Sequence, residues 1–151
     1  MYLNGLYKEP KKYLDKEKIT DYSPQSIREA VSAIRAEKLP DPNVSPSAGS
    51  FFKNIYLSDS EAEDAKARGL KVWGKPDGSK MISAGYLLEK AGLKGELFHG
   101  MRVCGTAALV LINESAETYA NLDAARKEIC EIIYDKFGFS LEQEPVEIPE
   151  R

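Results

Sequence analysis

Ala108-Leu109-Val110-Leu111-Ile112 is the stretch that most narrows what this chain can become: five consecutive apolar residues ending at Asn113. A short continuous apolar run of this kind reads as a strand buried on both faces. Such a strand needs cover on each side, and the longest helical pattern of the chain follows it directly. Between Tyr119 and Phe137, Leu122, Ala125, Ile129, Ile132 and Ile133 fall on one helical stripe, and Gly138 supplies the stop. Arg126 and Lys127 fall off that stripe, toward solvent. A buried strand beside an amphipathic helix predicts an α+β (mixed α/β) class: one small compact domain with a sheet packed against helices.

The other elements are read from punctuation and period. Ser23 as N-cap, Pro24 at the first helical position, and Ile27, Ala30, Val31 and Ile34 at helical spacing predict a helix that Pro40 ends. Residues 1–22 form a polar lead-in in which Lys8, Lys11, Lys12, Lys16 and Lys18 are diluted by Glu9, Asp15 and Glu17, so a solvated face is expected there. The segment 39–50 carries Pro40, Pro42 and Pro46 and reads as a stiff extended loop delivering Gly49 and Ser50 to a strand over Phe51–Leu57. Ser58 and Glu61 predict a capping box for a short polar helix ending near Gly69. A short strand is expected over Lys71–Trp73, a turn at Pro76-Asp77-Gly78, a return through Met81 and Ile82, and a helix over Ala84–Ala91 stopped by Gly92. Further strands are expected over Phe98–Cys104 and Ala107–Asn113, with a short final strand in the tail.

Composition excludes several classes. The chain has 151 residues and a formal net charge of −3, which disfavours general nucleic-acid binding because that rests on phosphate neutralisation by clustered lysine and arginine. No apolar run approaches the roughly 20 residues of a bilayer span. No basic start leads into an apolar stretch, so a cytoplasmic location is expected, with no membrane partner. One histidine, His99, and two cysteines, Cys104 and Cys130, are too few for a Cys/His metal site, and both thiols are expected on buried faces as inert small hydrophobes. Gly69-x-x-x-x-Gly74-Lys75 imitates a phosphate loop, but Pro76 stands where serine or threonine must hold magnesium, and the segment follows a helix. No G-x-G-x-x-G is present. Asn113-Glu114-Ser115 fits a glycosylation sequon without a secretory context.

Two weaker signals concern chemistry. Ser50 follows a permissive glycine at the end of a proline-stiffened loop, a way to present one hydroxyl, although neither a hydrolase elbow nor a nearby histidine accompanies it. Glu142 and Glu144 sit two apart in an extended tail, so both side chains share a face, with Gln143 opposite.

Several blocks then occur in one order: Lys38-Leu39-Pro40-Asp41-Pro42, Ala48-Gly49-Ser50-Phe51-Phe52-Lys53-Asn54, Ser83-Ala84-Gly85-Tyr86-Leu87-Leu88-Glu89, Ala108 to Asn113, and Leu141-Glu142-Gln143-Glu144. From about Tyr22 onward the chain resembles the C-terminal substrate-binding domain of the UDP-N-acetylenolpyruvoylglucosamine reductase family (MurB). The resemblance implies the domain over 23–151, with the family's flavin-binding domains absent from this chain, an excised domain or a separately encoded half. It implies FAD and NADPH in the full-length enzyme and none bound to this chain alone, which is expected to be inactive by itself. It implies UDP-N-acetylglucosamine enolpyruvate as substrate, the flavin-binding domains as partners, Ser50 as proton donor and Glu144 as stabiliser of the intermediate. Lys38 and Asn54 are implied as contacts of the diphosphate, and Leu39, Gly49 and Leu109 as further substrate contacts. The sequence departs from the family at Ile55, usually proline; at Ala107, often a polar side chain; and at Pro145, directly after Glu144. The alternatives are a stand-alone nucleotide-sugar binding module without catalysis, and a purely structural or partner-binding domain.

Overall fold

The computed structural model describes residues 8–41 and 43–148 and divides into two units, 1–44 and 45–151. The first holds helices α1 (Lys8–Lys16) and α2 (Pro24–Lys38), which pack on each other. α1 lies inside the segment expected to be only a polar lead-in. Its buried residues, Pro10 and Leu14, are too little apolar signal to stand out among five lysines. α2 has the predicted start: the Ser23 hydroxyl accepts from the Ser26 N–H, and Pro24 opens the helix.

The second unit contains two antiparallel sheets. One has the order β1-β7-β6-β5, with β1 Ser47–Ser50, β5 Leu97–Phe98, β6 Met101–Val103 and β7 Val110–Asn113. The apolar run supplies β7, which is paired on both edges, and Val110 and Leu111 are buried on opposite faces as predicted. The other sheet has the order β2-β4-β3, with β2 Ile55–Leu57, β3 Trp73–Gly74 and β4 Lys80–Ile82. Helix α3 (Asp59–Ala67) begins with the predicted capping box. Helices α4 (Ala84–Lys90) and α5 (Tyr119–Phe137) pack together, α5 burying Ala125, Ile129, Ile133 and Phe137. A single core joins Phe51, Phe52, Ile82, Leu87, Leu88, Val103, Leu111 and the α5 stripe. No described helix is long and apolar enough to cross a membrane.

Several strands differ from expectation. Of the predicted strand 51–57 only Ile55–Leu57 is strand (β2), while β1 (Ser47–Ser50) lies in the segment expected to be loop, and the residues between them send their hydrogen bonds to other partners. The strand expected at 71–73 lies at 73–74, and that expected at 107–113 begins at 110. The final strand is a single bridge, Phe52 opposite Gln143. The strand expected over 98–104 is folded back on itself as the β5–β6 hairpin. Its two turn residues, His99 (φ +48) and Gly100 (φ +86), both lie in the left-handed region, the pattern of a type I′ turn. The phosphate-loop imitation ends α3 at Gly69 (φ +74) and leads into β3, with no helix after it. Arg126, expected toward solvent, is half-buried; its Nε is enclosed without a hydrogen-bond partner among the described residues, while its Nη2 donates to Asp123.

The Gly100 turn is the tightest glycine position. A Cβ there would lie 2.5 Å from Ala116 N and 2.8 Å from Ser115 C, both backbone atoms that cannot step aside. Gly95 has a similar φ of +81 and open space around it. Gly95→Ala is therefore expected to lose about 1–2 kcal/mol from backbone strain alone, and Gly100→Ala clearly more, about 3 kcal/mol or above. Urea unfolding of the two variants checks this; equal losses would deny the steric account.

Candidate functional site

The site is built on Phe51. β1 carries a bulge between Ser47 and Ser50, with Gly49 at φ +78, and Ser50 pairs with Val110. The next residue leaves the strand. The Phe51 N–H donates to the Leu109 carbonyl at 2.7 Å, and its carbonyl accepts from the Glu144 N–H at 2.8 Å. The Lys53 N–H donates to the Glu142 carbonyl at 2.8 Å. Residues 51–53 and 142–144 thus run antiparallel, with Phe52 and Gln143 as the non-hydrogen-bonded pair between these bonds. Phe51 and Phe52 are both buried and meet edge to face at 5.0 Å.

A cleft of about 500 Å³ opens beside this ladder, lined by Lys53, Asn54, Ile55, Tyr56, Ser140, Glu142 and Glu144. Glu142 and Glu144 share it, as alternation in an extended segment requires. Gln143 turns elsewhere and donates to the Pro145 carbonyl and to Glu147. Pro145 follows the last rung, so its missing N–H removes no bond from the ladder. Ile55 opens β2 and pairs with Ile82.

Asn54 has a double position. Its Oδ1 accepts from the Ala84 N–H at 3.1 Å, at the start of α4. Its side-chain N–H groups have no protein partner among the described residues. Lys53 Nζ lies 3.2 Å from Glu142 Oε2, and both side chains are exposed. Lys75 Nζ stands 4.4 Å from the centre of the Tyr56 ring and donates to the Tyr56 hydroxyl; that bond holds the ammonium above its ordinary pKa.

Of the residues singled out in the sequence, the fold brings six into one region, Glu142 described above among them. Ser50 and Gly49 end an exposed edge strand, Leu109 holds the Phe51 N–H, and Asn54 and Glu144 line the cleft. Ser50 is exposed rather than sealed in the core. Lys38 and Leu39 belong to the other unit, where Lys38 Nζ pairs with Glu9 at 2.5 Å and the Leu39 N–H closes α2 on the Arg35 carbonyl. Lys53 went unnoticed in the sequence. Its only signal is its place in FFKN, because the ladder that sets it against Glu142 spans 89 positions.

The remaining candidates resolve to structural roles. His99 Nε2 lies 3.0 Å from Glu128 on the surface. The Asn113 amide donates to the Ala116 carbonyl and accepts from its N–H, locking the loop after β7. Cys104 is buried; burial pushes its thiol up, but the Thr106 hydroxyl and the Thr106 and Ala107 N–H groups bring it below the ordinary value. Cys130 is half-buried, its thiol raised by burial. The described residues contain no group of acidic, cysteine or histidine side chains placed to hold a metal.

Comparison with known proteins matches the chain to a family. The family model for the C-terminal domain of UDP-N-acetylenolpyruvoylglucosamine reductase matches residues 41–148. A reductase of that name from Alcanivorax borkumensis is 40% identical over 131 residues, 85% of this chain and 38% of the relative. Those from Burkholderia multivorans, 39% identical over 82% of this chain and 36% of the relative, and Pseudomonas putida, 36% identical over 84% and 38%, are similar. The chain therefore spans a little over a third of the length of these relatives. By the match over residues 41–148, the chain belongs to the family of the UDP-N-acetylenolpyruvoylglucosamine reductase C-terminal domain.

Proposed function

We propose that this chain is the substrate-binding and proton-transferring part of a UDP-N-acetylmuramate dehydrogenase, which reduces UDP-N-acetylglucosamine enolpyruvate to UDP-N-acetylmuramate in peptidoglycan synthesis. The observation that carries the reading is the Phe51–Glu144 backbone bond. It brings Ser50, the residue before Phe51, to the edge where Glu144 enters the cleft.

Reducing a carbon–carbon double bond adds a hydride to one carbon and a proton to the other. FAD, reduced by NADPH, supplies the hydride in the full-length enzyme. The starts of α3 and α4 do not fit a flavin pyrophosphate, because N–H groups there already serve protein acceptors. On α4, Ala84 N–H is taken by Asn54 and Tyr86 N–H by Ser83; on α3, Glu61 N–H is taken by Ser58. In this reading the cofactors are carried by other polypeptide of the full-length enzyme.

Ser50 gives its hydroxyl proton to the carbanion carbon. A hydroxyl is a weak acid, but a carbanion is a strong base, and placement suffices. Its exposed strand edge lets solvent return the proton. Glu144 stabilises the enolate-like intermediate. Asn54 offers amide donors to the diphosphate. Gly49 and Leu109 complete the substrate contacts.

In an enzyme reassembled with the flavin-carrying polypeptide, Ser50→Ala is expected to leave flavin reduction by NADPH unchanged. Reoxidation of the flavin by the enolpyruvyl substrate should slow about 100-fold or more. Stopped-flow flavin absorbance reads both steps, and an unchanged reoxidation rate rejects the assignment. The same mixing experiment separates an enzyme part from a binding module that carries no chemistry.

Asn54 separates folding from binding. Asn54→Asp keeps the oxygen that accepts from Ala84 and should keep the melting temperature, while replacing amide donors by a charge that repels a diphosphate. Asn54→Ala loses the bond at the start of α4, about 1 kcal/mol. Thermal unfolding and UDP titration, measured together, give opposite orders for the two variants if both roles are real.

A further inference from the structure

Glu144 lines the cleft, yet its carboxylate has no hydrogen bond or ion pair to any described residue. Where that carboxylate sits is therefore set by its backbone. On the incoming side the Glu144 N–H is fixed on the Phe51 carbonyl at 2.8 Å. On the outgoing side stands Pro145, and a residue before proline is confined to extended backbone. Beyond Glu144 the tail makes no further backbone–backbone hydrogen bond among the described residues. A chain end without such bonds frays unless something else ties it down. Here side chains do so. The Gln143 amide reaches past Glu144 and donates to the Pro145 carbonyl at 3.1 Å and to Glu147 Oε1 at 2.9 Å. The same Glu147 oxygen accepts from the Tyr119 hydroxyl at 2.5 Å. Tyr119 opens α5, the helix that buries Ile129 and Ile133. The Tyr119 bond, and after it the Gln143 bond, hold the Glu147 carboxyl below its ordinary pKa, aided by Arg126 and opposed by Asp123. At neutral pH Glu147 is thus the charged acceptor that both donors face.

We infer that Gln143 is a positioning residue for Glu144: its amide closes residues 143–147 into a ring anchored on α5 through Glu147 and Tyr119, and the ring keeps the cleft carboxylate in one place. The inference rests on the reading above that Glu144 acts on the intermediate. Gln143, Glu147 and Tyr119 do not themselves line the cleft, so they act through Glu144 and not on the substrate. A group that serves a short-lived intermediate must be in place when the intermediate forms. Loosening the ring therefore costs rate and spares affinity.

Two measurements test this. In the 151-residue chain, NMR relaxation of the Glu144, Val146, Glu147 and Ile148 amides should give order parameters of about 0.8 in the wild type. Gln143→Leu, Tyr119→Phe and Glu147→Ala should each lower them toward about 0.6, whereas Glu147→Gln, which keeps an acceptor oxygen, should restore most of the order. In the enzyme reassembled with the flavin-carrying polypeptide, the same three variants should slow the limiting rate of flavin reoxidation by about threefold to tenfold. The half-saturating substrate concentration and the NADPH step should not change. In a Glu144→Gln background, Gln143→Leu should cost nothing further, because the group it positions is already gone. Additive losses in that double variant overturn the inference. So does a loosened tail with an unchanged limiting rate, or a tail as ordered in Glu147→Ala as in the wild type. If Glu144→Gln alone leaves reoxidation unchanged, the role given to Glu144 falls and takes the inference with it.

Discussion

The peptide groups of Phe51 join three parts of the chain. Its N–H reaches the segment leading into β7, its carbonyl reaches the tail, and its ring enters the core beside Phe52. Backbone groups at a buried position must find partners, and here one residue satisfies its donor and its acceptor on opposite sides. The tail has no helix or sheet of its own to fix it. It is held by Leu141 in the core and by the two ladder bonds to Phe51 and Lys53. Without that ladder neither Glu142 nor Glu144 would have a defined place.

This arrangement explains why a cleft forms where it does. β1 and β2 belong to different sheets, and the residues between them cannot stay paired to both. The three residues after β1 turn from the first sheet to the tail, and β2 then joins the second sheet. The cleft beside β2 is walled by Lys53, Asn54, Tyr56 and the tail carboxylates. Asn54 ties this cleft to the start of α4, so the same side chain braces the scaffold and faces the ligand. Its rigidity is borrowed from the core, as a binding donor requires.

Much of this was open to reading from local pattern. The α5 stripe, the Ser23 and Ser58 starts, the Asp77-Gly78 turn and the buried strand all follow from rules that act within a few residues. The family blocks around Ser50 and Glu144 were visible for the same reason, because contiguous residues carry them. What misled was also local. A single strand over 98–104 was expected because His99 is not a residue that announces a left-handed turn, although Gly100 after it makes the type I′ hairpin possible. Likewise α1 is hidden by its lysines, since one buried leucine gives no period.

Chain order alone decided the helices and their ends, the identity of the apolar strand, and the presence of a hydroxyl and two alternating carboxylates at opposite ends of the second unit. Whether those groups meet was settled only by tertiary pairing. The Lys53–Glu142 contact joins residues 89 positions apart, and the Asn54–Ala84 bond joins residues 30 apart. No local rule reaches so far: a hydrogen bond between distant residues depends on where the core places their backbones, and that placement is the sum of packing over the whole unit.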